Sequence, residues 1–418
     1  MERETKLKAI LVIADGMADR PLKTLNWKTP LEVAKKPSLN HIAKTGICGT
    51  LDPIAPGIPP GSDTATLALL GYDTFKVYSG RGALEAVGSG VNVSEGNVAF
   101  RCNFATVNEK LVAVDRRAHR IENEEAKKLA SSLQKVKLET DSVKFLFKNT
   151  VQHRAVLVLR GAKLSVAVSD SDPEQTGEKV SEVKPLEETA EAKRTAKILN
   201  ELLHKFGEAL KRHPVNESRV KRGLPPANFI LCRGAGTIPN IKTLSEVYSI
   251  KAACVAAVPL IRGVCKVAGM KLVDAKGATG TIQTDFMAKA KATVQALETN
   301  DFVLLHVKAT DVASHDGNIK LKIHLIEKID SIIGYILDNV DLETTYLAVT
   351  ADHTTSTLTG KHEGDPVPIA LTGYGVRSDD VDKFDERSCA KGGLDRIEGK
   401  SLMPIIMGLM GKTRKFGA

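Results

Sequence analysis

Short apolar runs bounded by polar residues recur toward both ends of the chain. The first, Leu7–Ala14, closes at Asp15-Gly16 and is typical of a buried strand of a parallel sheet. Further runs of this kind are Phe302–Val307, Thr345–Ala351 and Val367–Leu371. Patterns with helical spacing separate them, at Ile282–Leu297 and Ile319–Val340. This alternation predicts an α/β fold, with a parallel sheet covered by helices on both faces.

The middle of the chain has a different pattern, with short alternating runs that predict a mixed sheet. These runs are Val98–Val107, Lys110–Val114, Val143–Phe147, Ala155–Leu159 and Leu164–Val168. Helices are predicted at Glu124–Lys135 and Glu188–Arg212, and Arg212–Pro226 is predicted to be a linker. We therefore expect a core formed by residues 1–85 and 239–418, interrupted by an α+β cap domain at 86–238.

Composition narrows the class of protein. The 418 residues include 42% hydrophobic and 26% charged residues, as in ordinary globular proteins. Six scattered cysteines form no Cys-x-x-Cys pair, and no apolar run reaches about 18 residues. We therefore expect reduced thiols, a cytoplasmic location and no membrane partner. The net charge of +9 favours an anionic ligand, either nucleic acid or a small phosphorylated acid. Because the basic residues are dispersed and aromatics make up only 4%, we expect no nucleic-acid partner.

Potential metal ligands follow three of the predicted strands. They are Asp15, Asp311 with His315, and Asp352 with His353, while His362 follows Asp352 by ten residues. Taken alone, an aspartate at a strand end is usually a helix cap or a turn residue. Ligands at several strand ends can meet at one sheet edge, and together they predict a metal site. Carboxylates and imidazoles suit Mn²⁺, Zn²⁺ or Mg²⁺, and the number of donors favours two ions.

Ser62 is the predicted nucleophile. A loop with three prolines, Ile54–Pro60, precedes Gly61-Ser62-Asp63-Thr64, and the apolar pattern after it predicts a helix. Ser62 would then lie at a helix N-terminus, where backbone N–H groups favour an anion. Serine at this position can also be a simple helix cap, and the proposed metal site is what favours the catalytic interpretation.

Several motifs then carry a resemblance. The segments are Val12–Pro21, Pro60–Ala65, Gly71–Asp73, Tyr78–Gly82, Ala309–Asn318, Ala351–Thr354 and His362–Pro368. In this order, and over nearly the whole chain, they resemble the archaeal type of 2,3-bisphosphoglycerate-independent phosphoglycerate mutase, of the alkaline phosphatase superfamily. The pair Thr355-Ser356 departs from many relatives, which carry a proline there; the departure leaves the ligands intact.

The resemblance implies a function and a set of site residues. It implies an isomerase of glycolysis and gluconeogenesis that interconverts 3-phosphoglycerate and 2-phosphoglycerate through a phosphoserine, without added bisphosphoglycerate. It also implies two divalent metal ions, with Mn²⁺ as the preferred metal and Zn²⁺, Mg²⁺ or Co²⁺ as alternatives. Asp311, His315 and His362 match the ligands of one ion, and Asp15, Ser62, Asp352 and His353 match those of the other. The substrate residues implied are Asp63, Arg116, Arg154, Asp170, Asp172, Arg233 and Lys251, with Lys251 also catalytic.

Rival functions stay open at this point. A phosphatase, a phosphonate hydrolase or a mutase for another sugar phosphate could use the same metal residues. A sulfatase is disfavoured, because Ser62 lacks the sequence context that such enzymes modify. The mutase interpretation predicts a cap that closes over the site to exclude water. A homo-oligomer is compatible with the sequence.

Overall fold

The computed structural model describes residues 6–140 and 142–417. The chain forms two compact units. The first combines Met1–Tyr78 with Asn240–Ala418, and the second is Ser79–Pro239. The boundary expected after residue 85 falls inside the helix Arg81–Gly88, which belongs to the second unit.

The secondary-structure elements are numbered in chain order. The strands are β1 Lys8–Ala14, β2 Ile47–Asp52, β3 Val98–Val107, β4 Ala113–Asp115, β5 Val143–Asn149, β6 Arg154–Gly161, β7 Phe229–Gly236, β8 Ala252–Val255, β9 Lys271–Val273, β10 Phe302–Val307, β11 Thr345–Thr350, β12 Thr354–Ser356, β13 Lys361–Glu363, β14 Val367–Thr372 and β15 Arg396–Glu398. The helices are α1 Pro30–Val33, α2 Pro37–Thr45, α3 Ser62–Leu69, α4 Thr74–Val77, α5 Arg81–Gly88, α6 Asn123–Leu133, α7 Ala190–Lys211, α8 Pro214–Lys221, α9 Leu244–Tyr248, α10 Pro259–Val267, α11 Phe286–Thr299, α12 Ala309–His315, α13 Ile319–Asn339, α14 Glu386–Cys389 and α15 Gly399–Leu409.

The first unit is built on an eight-stranded, mostly parallel sheet in the order β15-β2-β14-β11-β1-β10-β8-β9. Its central strands β1, β10 and β11 are almost wholly buried, as expected of parallel strands covered on both faces. Strand β14 alone runs antiparallel to its neighbours, β11 and β2. The sheet is therefore mostly parallel, with this one strand reversed.

The helices of the first unit form two groups. Helix α13 packs against α1, α2, α11 and α12, whereas α3 packs against α10 and α15. The predicted α/β fold with helices on both faces is confirmed. The predicted helix α13 is confirmed as well. The isoleucines whose spacing predicted it, Ile326, Ile329, Ile333 and Ile336, are all buried.

The second unit is an antiparallel sheet with helices. Strand β3 pairs with β4, β6 and β7, and β5 pairs with β6, in every case antiparallel. Its core joins these strands to α6 and α7, with Phe147 packed edge-on against Phe104 and Phe206. Three expectations fail here. The sheet is antiparallel rather than mixed, Leu164–Val168 forms no strand, and the expected linker Arg212–Pro226 contains the helix α8.

No helix among the described residues is both long and apolar enough to cross a membrane.

Candidate metal centre

Three aspartates from distant parts of the chain meet at the carboxyl edge of the large sheet. Asp15 follows β1, Asp311 lies in α12 just after β10, and Asp352 follows β11. All three carboxylates are buried, with at most 1% of each residue exposed. Because β10, β1 and β11 are adjacent and parallel, their ends bring these residues together as predicted.

The donors form two overlapping groups that could each hold a metal ion. One is Asp15, Asp352 and His353, and the other is Asp311, His353 and His362. His353 Nε2 lies 3.4 Å from Asp15 Oδ1 and also 3.4 Å from Asp352 Oδ2. His362 Nε2 and His315 Nε2 each lie 3.3 Å from an oxygen of Asp311. The i,i+4 spacing of Asp311 and His315 on α12 therefore places both side chains together.

Two of the imidazoles are oriented by backbone carbonyl groups. The Nδ1 of His315 lies 2.7 Å from the Gly360 carbonyl oxygen, and the Nδ1 of His362 lies 2.8 Å from that of Pro60. A carbonyl oxygen only accepts hydrogen bonds, so each Nδ1 carries the proton and donates it. The Nε2 of each ring is thereby directed toward Asp311, and once it gives up its proton it has the orientation that a metal ligand requires.

Gly16 allows the close approach of the chain segments around the site. Its φ of +63° lies in the left-handed region, and its N–H donates to Asp352 Oδ1 at 3.1 Å. A Cβ here would lie 2.5 Å from Thr355 Oγ1 and 2.9 Å from the Asp311 Cα. Only glycine fits without moving the ligand-bearing segments.

Ser62 is the first residue of α3 and lies beside Asp15 and His353 of the first group of donors. Its Oγ is 3.2 Å from His353 Nε2, 3.4 Å from Lys308 Nζ and 3.5 Å from Asp15 Oδ2. Only 8% of the residue is exposed. The structure thus brings Ser62 together with all six predicted carboxylate and imidazole ligands. Asp63 is also buried nearby on α3, where its carboxylate accepts a hydrogen bond from the Tyr78 hydroxyl at 2.8 Å.

Sequence reasoning missed Lys308 and His306 in this centre. Lys308 Nζ lies 2.9 Å from Asp15 Oδ2 and 2.7 Å from Asp311 Oδ2, and His306 Nε2 lies 3.0 Å from Asp15 Oδ2. Lys308 directly follows β10, just as Asp15 directly follows β1, so its position in the sequence indicates that it lies at the same edge of the sheet. His306 lies inside a buried strand, where no sequence signal marks it.

The charges of this cluster shift the pKa values of its members. Burial, followed by the charge of Asp15, raises the pKa of Asp352 to about 8. Burial also raises the pKa of Asp311, but the Lys308 charge and the two histidines outweigh it and hold that pKa well below its usual value. Burial lowers the pKa of His353 to about 3, so this ring is neutral at physiological pH.

The donor set fits divalent cations. Asp352 Oδ2 is buried and accepts no hydrogen bond from the described part of the chain, which is costly for a carboxylate oxygen unless a cation satisfies it. Six carboxylate and imidazole donors without thiolate are the ligands expected for Mn²⁺, Zn²⁺ or Mg²⁺.

Lys251 does not belong to this centre, and its expected catalytic role is wrong. It is exposed and directly precedes β8, whose first residue Ala252 pairs with Phe302, the first residue of the parallel strand β10. Its N–H donates to Asp301, also at the amino end of the sheet. The metal ligands lie at the opposite, carboxyl edge, roughly 20 Å away for strands of six residues.

Four of the predicted substrate residues form one cluster in the second unit. Arg116 makes two hydrogen bonds to the carboxylate of Asp172, at 2.7 and 2.8 Å, and Arg233 Nε lies 3.8 Å from the same carboxylate. Asp170 accepts a hydrogen bond from the Gly234 N–H at 2.8 Å. These aspartates therefore hold Arg116 and the β7 segment in place.

Arg154 is the fifth predicted substrate residue of the second unit. It belongs to an arginine cluster that the sequence indicated only in part. Arg101 on β3 pairs with Arg233 on β7, and Arg154 on β6 is opposite Asn103. Arg81 begins α5, and its Nε lies 3.5 Å from the buried Glu85 carboxylate. Burial raises the pKa of Glu85, but Arg101, Arg81 and Arg154 outweigh burial and lower it overall.

The arginine cluster consists of Arg81, Arg101 and Arg154, which share the carboxylate of Glu85, together with Arg233, which is paired with Arg101. Three guanidinium groups at one carboxylate leave an excess of positive charge. The Nε of Arg101 is buried and has no hydrogen-bond partner among the described residues. Gly80 and Gly82 let Arg81 come close to the sheet, since a Cβ at either would lie about 2 Å from a backbone oxygen of β7 or β3. The motif at residues 79–82 was the signal that marked Arg81.

A mostly parallel sheet with buried aspartates, histidines and a serine at its carboxyl edge is the arrangement of a metal-dependent α/β enzyme. The family model for 2,3-bisphosphoglycerate-independent phosphoglycerate mutase matches residues 43–216. The chain is 50% identical to such a mutase, numbered 1, from Methanocaldococcus jannaschii and 49% identical to one from Thermococcus kodakarensis; each match covers 99% of this chain and 100% of the relative. The chain therefore belongs to the family of 2,3-bisphosphoglycerate-independent phosphoglycerate mutases, which are isomerases that act as intramolecular phosphotransferases.

Two solved structures share the fold over nearly the full length. A Pyrococcus horikoshii protein superposes with a TM-score of 0.88 at 42% identity, covering 99% of this chain and 100% of that one. A cofactor-independent phosphoglycerate mutase from Thermoplasma acidophilum has a TM-score of 0.70 at 37% identity, covering 97% and 100% respectively.

Proposed function

We propose that this chain interconverts 3-phosphoglycerate and 2-phosphoglycerate through a phosphoserine at Ser62, beside two divalent metal ions. The observation that carries the proposal is the position of the Ser62 hydroxyl, within 3.5 Å of His353, Lys308 and Asp15. A hydroxyl beside a lysine and two sets of metal donors is suited to attack a phosphate.

Seven residues would hold the two ions, and His353, which belongs to both groups of donors, is assigned to one of them. Asp311, His315 and His362 would bind one ion, and Asp15, Asp352 and His353, with Ser62, the other. When bound, the ions would neutralise charge on the phosphoryl group and lower the pKa of the serine hydroxyl. We expect Mn²⁺, since the donors are oxygen and imidazole nitrogen, with Zn²⁺, Mg²⁺ and Co²⁺ as alternatives.

The transfer itself consists of two displacements at phosphorus. Ser62 Oγ gives up its proton and forms a bond to the phosphorus of 3-phosphoglycerate, the bond from phosphorus to the glycerate oxygen breaks, and that oxygen takes up a proton. The 2-hydroxyl of the same glycerate then loses its proton and attacks the phosphoserine, the bond from phosphorus to Ser62 Oγ breaks, and Ser62 takes up a proton. Lys308 supplies positive charge beside the transferring group in both steps.

The arginine cluster of the second unit provides the chemistry to bind the glycerate. Arg101, Arg81 and Arg154 share the one buried carboxylate of Glu85, and Arg233 lies beside Arg101. Planar guanidinium groups bind carboxylates in pairs of parallel hydrogen bonds. We assign Arg154, Arg233 and Arg116, with the supporting Asp170 and Asp172, to the substrate carboxylate. By retaining glycerate between the two displacements, this site would favour mutase over phosphatase activity.

A coupled assay of 2-phosphoglycerate formation tests the proposal. With Mn²⁺ and without bisphosphoglycerate, the wild-type protein should convert 3-phosphoglycerate and release little inorganic phosphate. Ser62→Ala should abolish turnover while metal content stays near that of the wild type. Thr64→Ala is the matched control, because Thr64 Oγ1 holds the same loop through Gly61 and is no nucleophile. Substantial turnover by Ser62→Ala, or phosphate release as the main reaction of the wild type, would count against the proposal.

A further inference from the structure

Thr355 connects the two groups of metal donors. It lies on β12 and is completely buried. Its Oγ1 is 3.0 Å from Asp311 Oδ1 and 2.9 Å from His353 Nδ1. Asp311 belongs to one group of donors and His353 is the imidazole assigned to the other, so one hydroxyl touches a ligand of each.

The protons of this contact can be assigned from the chemistry of the three groups. An ionised carboxylate accepts hydrogen bonds and donates none, so the single hydroxyl proton of Thr355 is donated to Asp311. The same oxygen must then accept a hydrogen bond from His353, which places the proton of that ring on Nδ1. The lone pair of His353 is consequently on Nε2, which faces Ser62 and Asp15.

The backbone keeps Thr355 from shifting. Its N–H donates to the Ala18 carbonyl at 3.1 Å, and its own carbonyl accepts from Lys322 Nζ at 2.9 Å. Gly16 approaches so closely that a Cβ there would lie 2.5 Å from Thr355 Oγ1. The hydroxyl is therefore held on both sides, as an outer contact that orients metal ligands must be.

We infer that Thr355 is a positioning residue that couples the two ions of the site. It fixes the ring of His353 for one ion and the carboxylate of Asp311 for the other, so binding at one position prepares the second. This inference rests on the two-ion site proposed above.

The test uses Mn²⁺ titrations of chelator-stripped, full-length protein by calorimetry. Wild-type protein should bind two Mn²⁺ ions. Thr355→Val keeps the shape but removes the hydroxyl, and it should weaken the binding of both ions about 10- to 100-fold, the range for loss of an outer contact. Thr355→Ser restores the hydroxyl and should bind like the wild type. Thr357→Val is the matched control, because the buried Thr357 hydroxyl has no hydrogen-bond partner among the described residues.

A second readout requires no variant. In ¹⁵N-histidine NMR spectra of the wild-type protein loaded with diamagnetic Zn²⁺, His353 should be protonated at Nδ1 with a slowly exchanging N–H. Protonation at Nε2 would overturn the inference, even if Thr355→Val failed to fold. Two wild-type ions with equal affinities in Thr355→Val and Thr357→Val would overturn it as well. Fewer than two ions bound by the wild type would instead contradict the proposed two-ion site.

Discussion

Lys308 and Asp311 form a direct ion pair, with the Nζ of the lysine 2.7 Å from Oδ2 of the aspartate. The same Nζ contacts Asp15 at 2.9 Å and lies 3.4 Å from the Ser62 hydroxyl. Burial lowers the pKa of Lys308, but Asp15 and Asp311 outweigh burial and raise it, so the ammonium group stays charged. A fixed positive charge is therefore available where a phosphoryl group would be transferred.

Replacing this lysine should lower kcat. Lys308→Met removes the charge beside Ser62, and we expect kcat for 3-phosphoglycerate to fall by about 100-fold or more, as when one group that stabilises a transition state is lost. Lys251→Met is the control, because Lys251 lies at the opposite edge of the sheet and should leave kcat near the wild-type value. A large loss in Lys251→Met with little change in Lys308→Met would reverse the assignment.

Metal binding should become tighter as the pH rises to about 8. The pKa of Asp352 is raised to about 8 in the metal-free protein, so below that pH the carboxyl holds a proton that a metal ion must displace. Mn²⁺ titrations in buffers of different ionisation enthalpy should show proton release at pH 7. The apparent affinity should rise with pH and become constant above about pH 8.

Asp352→Asn provides the comparison for this pH effect. The amide of the variant cannot release a proton. The proton that the Asp352 carboxyl group of the wild type releases near pH 8 should therefore be missing. The pKa values of His315 and His362 are also raised, by Asp311 in the first case and, despite burial, by Asp311 and the Pro60 carbonyl in the second. Their protons should still be displaced at lower pH. An affinity that stays constant between pH 6 and 9 in the wild type would contradict this assignment.

Changes in the arginine cluster should affect KM and leave the metal content unchanged. Arg154→Ala removes a guanidinium group from a site with few carboxylates, and KM for 3-phosphoglycerate should increase about 10- to 100-fold, the range for a lost charge-assisted hydrogen bond. The number of Mn²⁺ ions bound should not change. Arg212→Ala, at the exposed arginine that follows α7, is the control and should leave KM unchanged. An unchanged KM in Arg154→Ala would remove this residue from the substrate site.

The buried pair of Lys322 and Asp19 should be important for stability. Lys322 Nζ lies 3.0 Å from Asp19 Oδ2 and also donates to the carbonyls of Ala18 and Thr355. Lys322→Met leaves the Asp19 carboxylate buried without its countercharge, which should lower the free energy of unfolding by about 3–5 kcal/mol. Urea denaturation measures this change. Lys320→Met, at an exposed position of the same helix, should change stability by less than about 0.5 kcal/mol.

The residues of the candidate metal centre were predictable because they follow recognisable strands. Aspartates that follow apolar runs directly or within a few residues mark the carboxyl edge of a parallel sheet, so Asp15, Asp311 and Asp352 could be brought together without any knowledge of the turns. Lys251 precedes its strand, and attention to strand direction would have excluded it. The same consideration applies to His362, which lies on the short strand β13 and precedes β14 of the large sheet. It can reach the carboxyl edge only because β14 runs in the opposite direction.

The arginine cluster was less predictable, because it depends on pairing between remote strands. Arg101 and Arg233 face each other only through the register of β3 and β7. Nothing local in either segment specifies that register. Residue Thr355 was visible in the sequence only as a departure from related chains, and its contacts with Asp311 and His353 emerge only when three segments fold together.

The first and last segments of the second unit lie next to each other in space. The Thr237 N–H donates to the Ser79 carbonyl at 2.9 Å, and the Ser79 hydroxyl donates to the Thr237 carbonyl at 2.7 Å. Some 160 residues are thus inserted between two positions that a turn of a few residues could bridge. Such a module can be exchanged through a single junction, without altering any strand that carries a metal ligand. New substrates could therefore arise in this architecture by replacement of the module, while the chemistry at Ser62 stays the same.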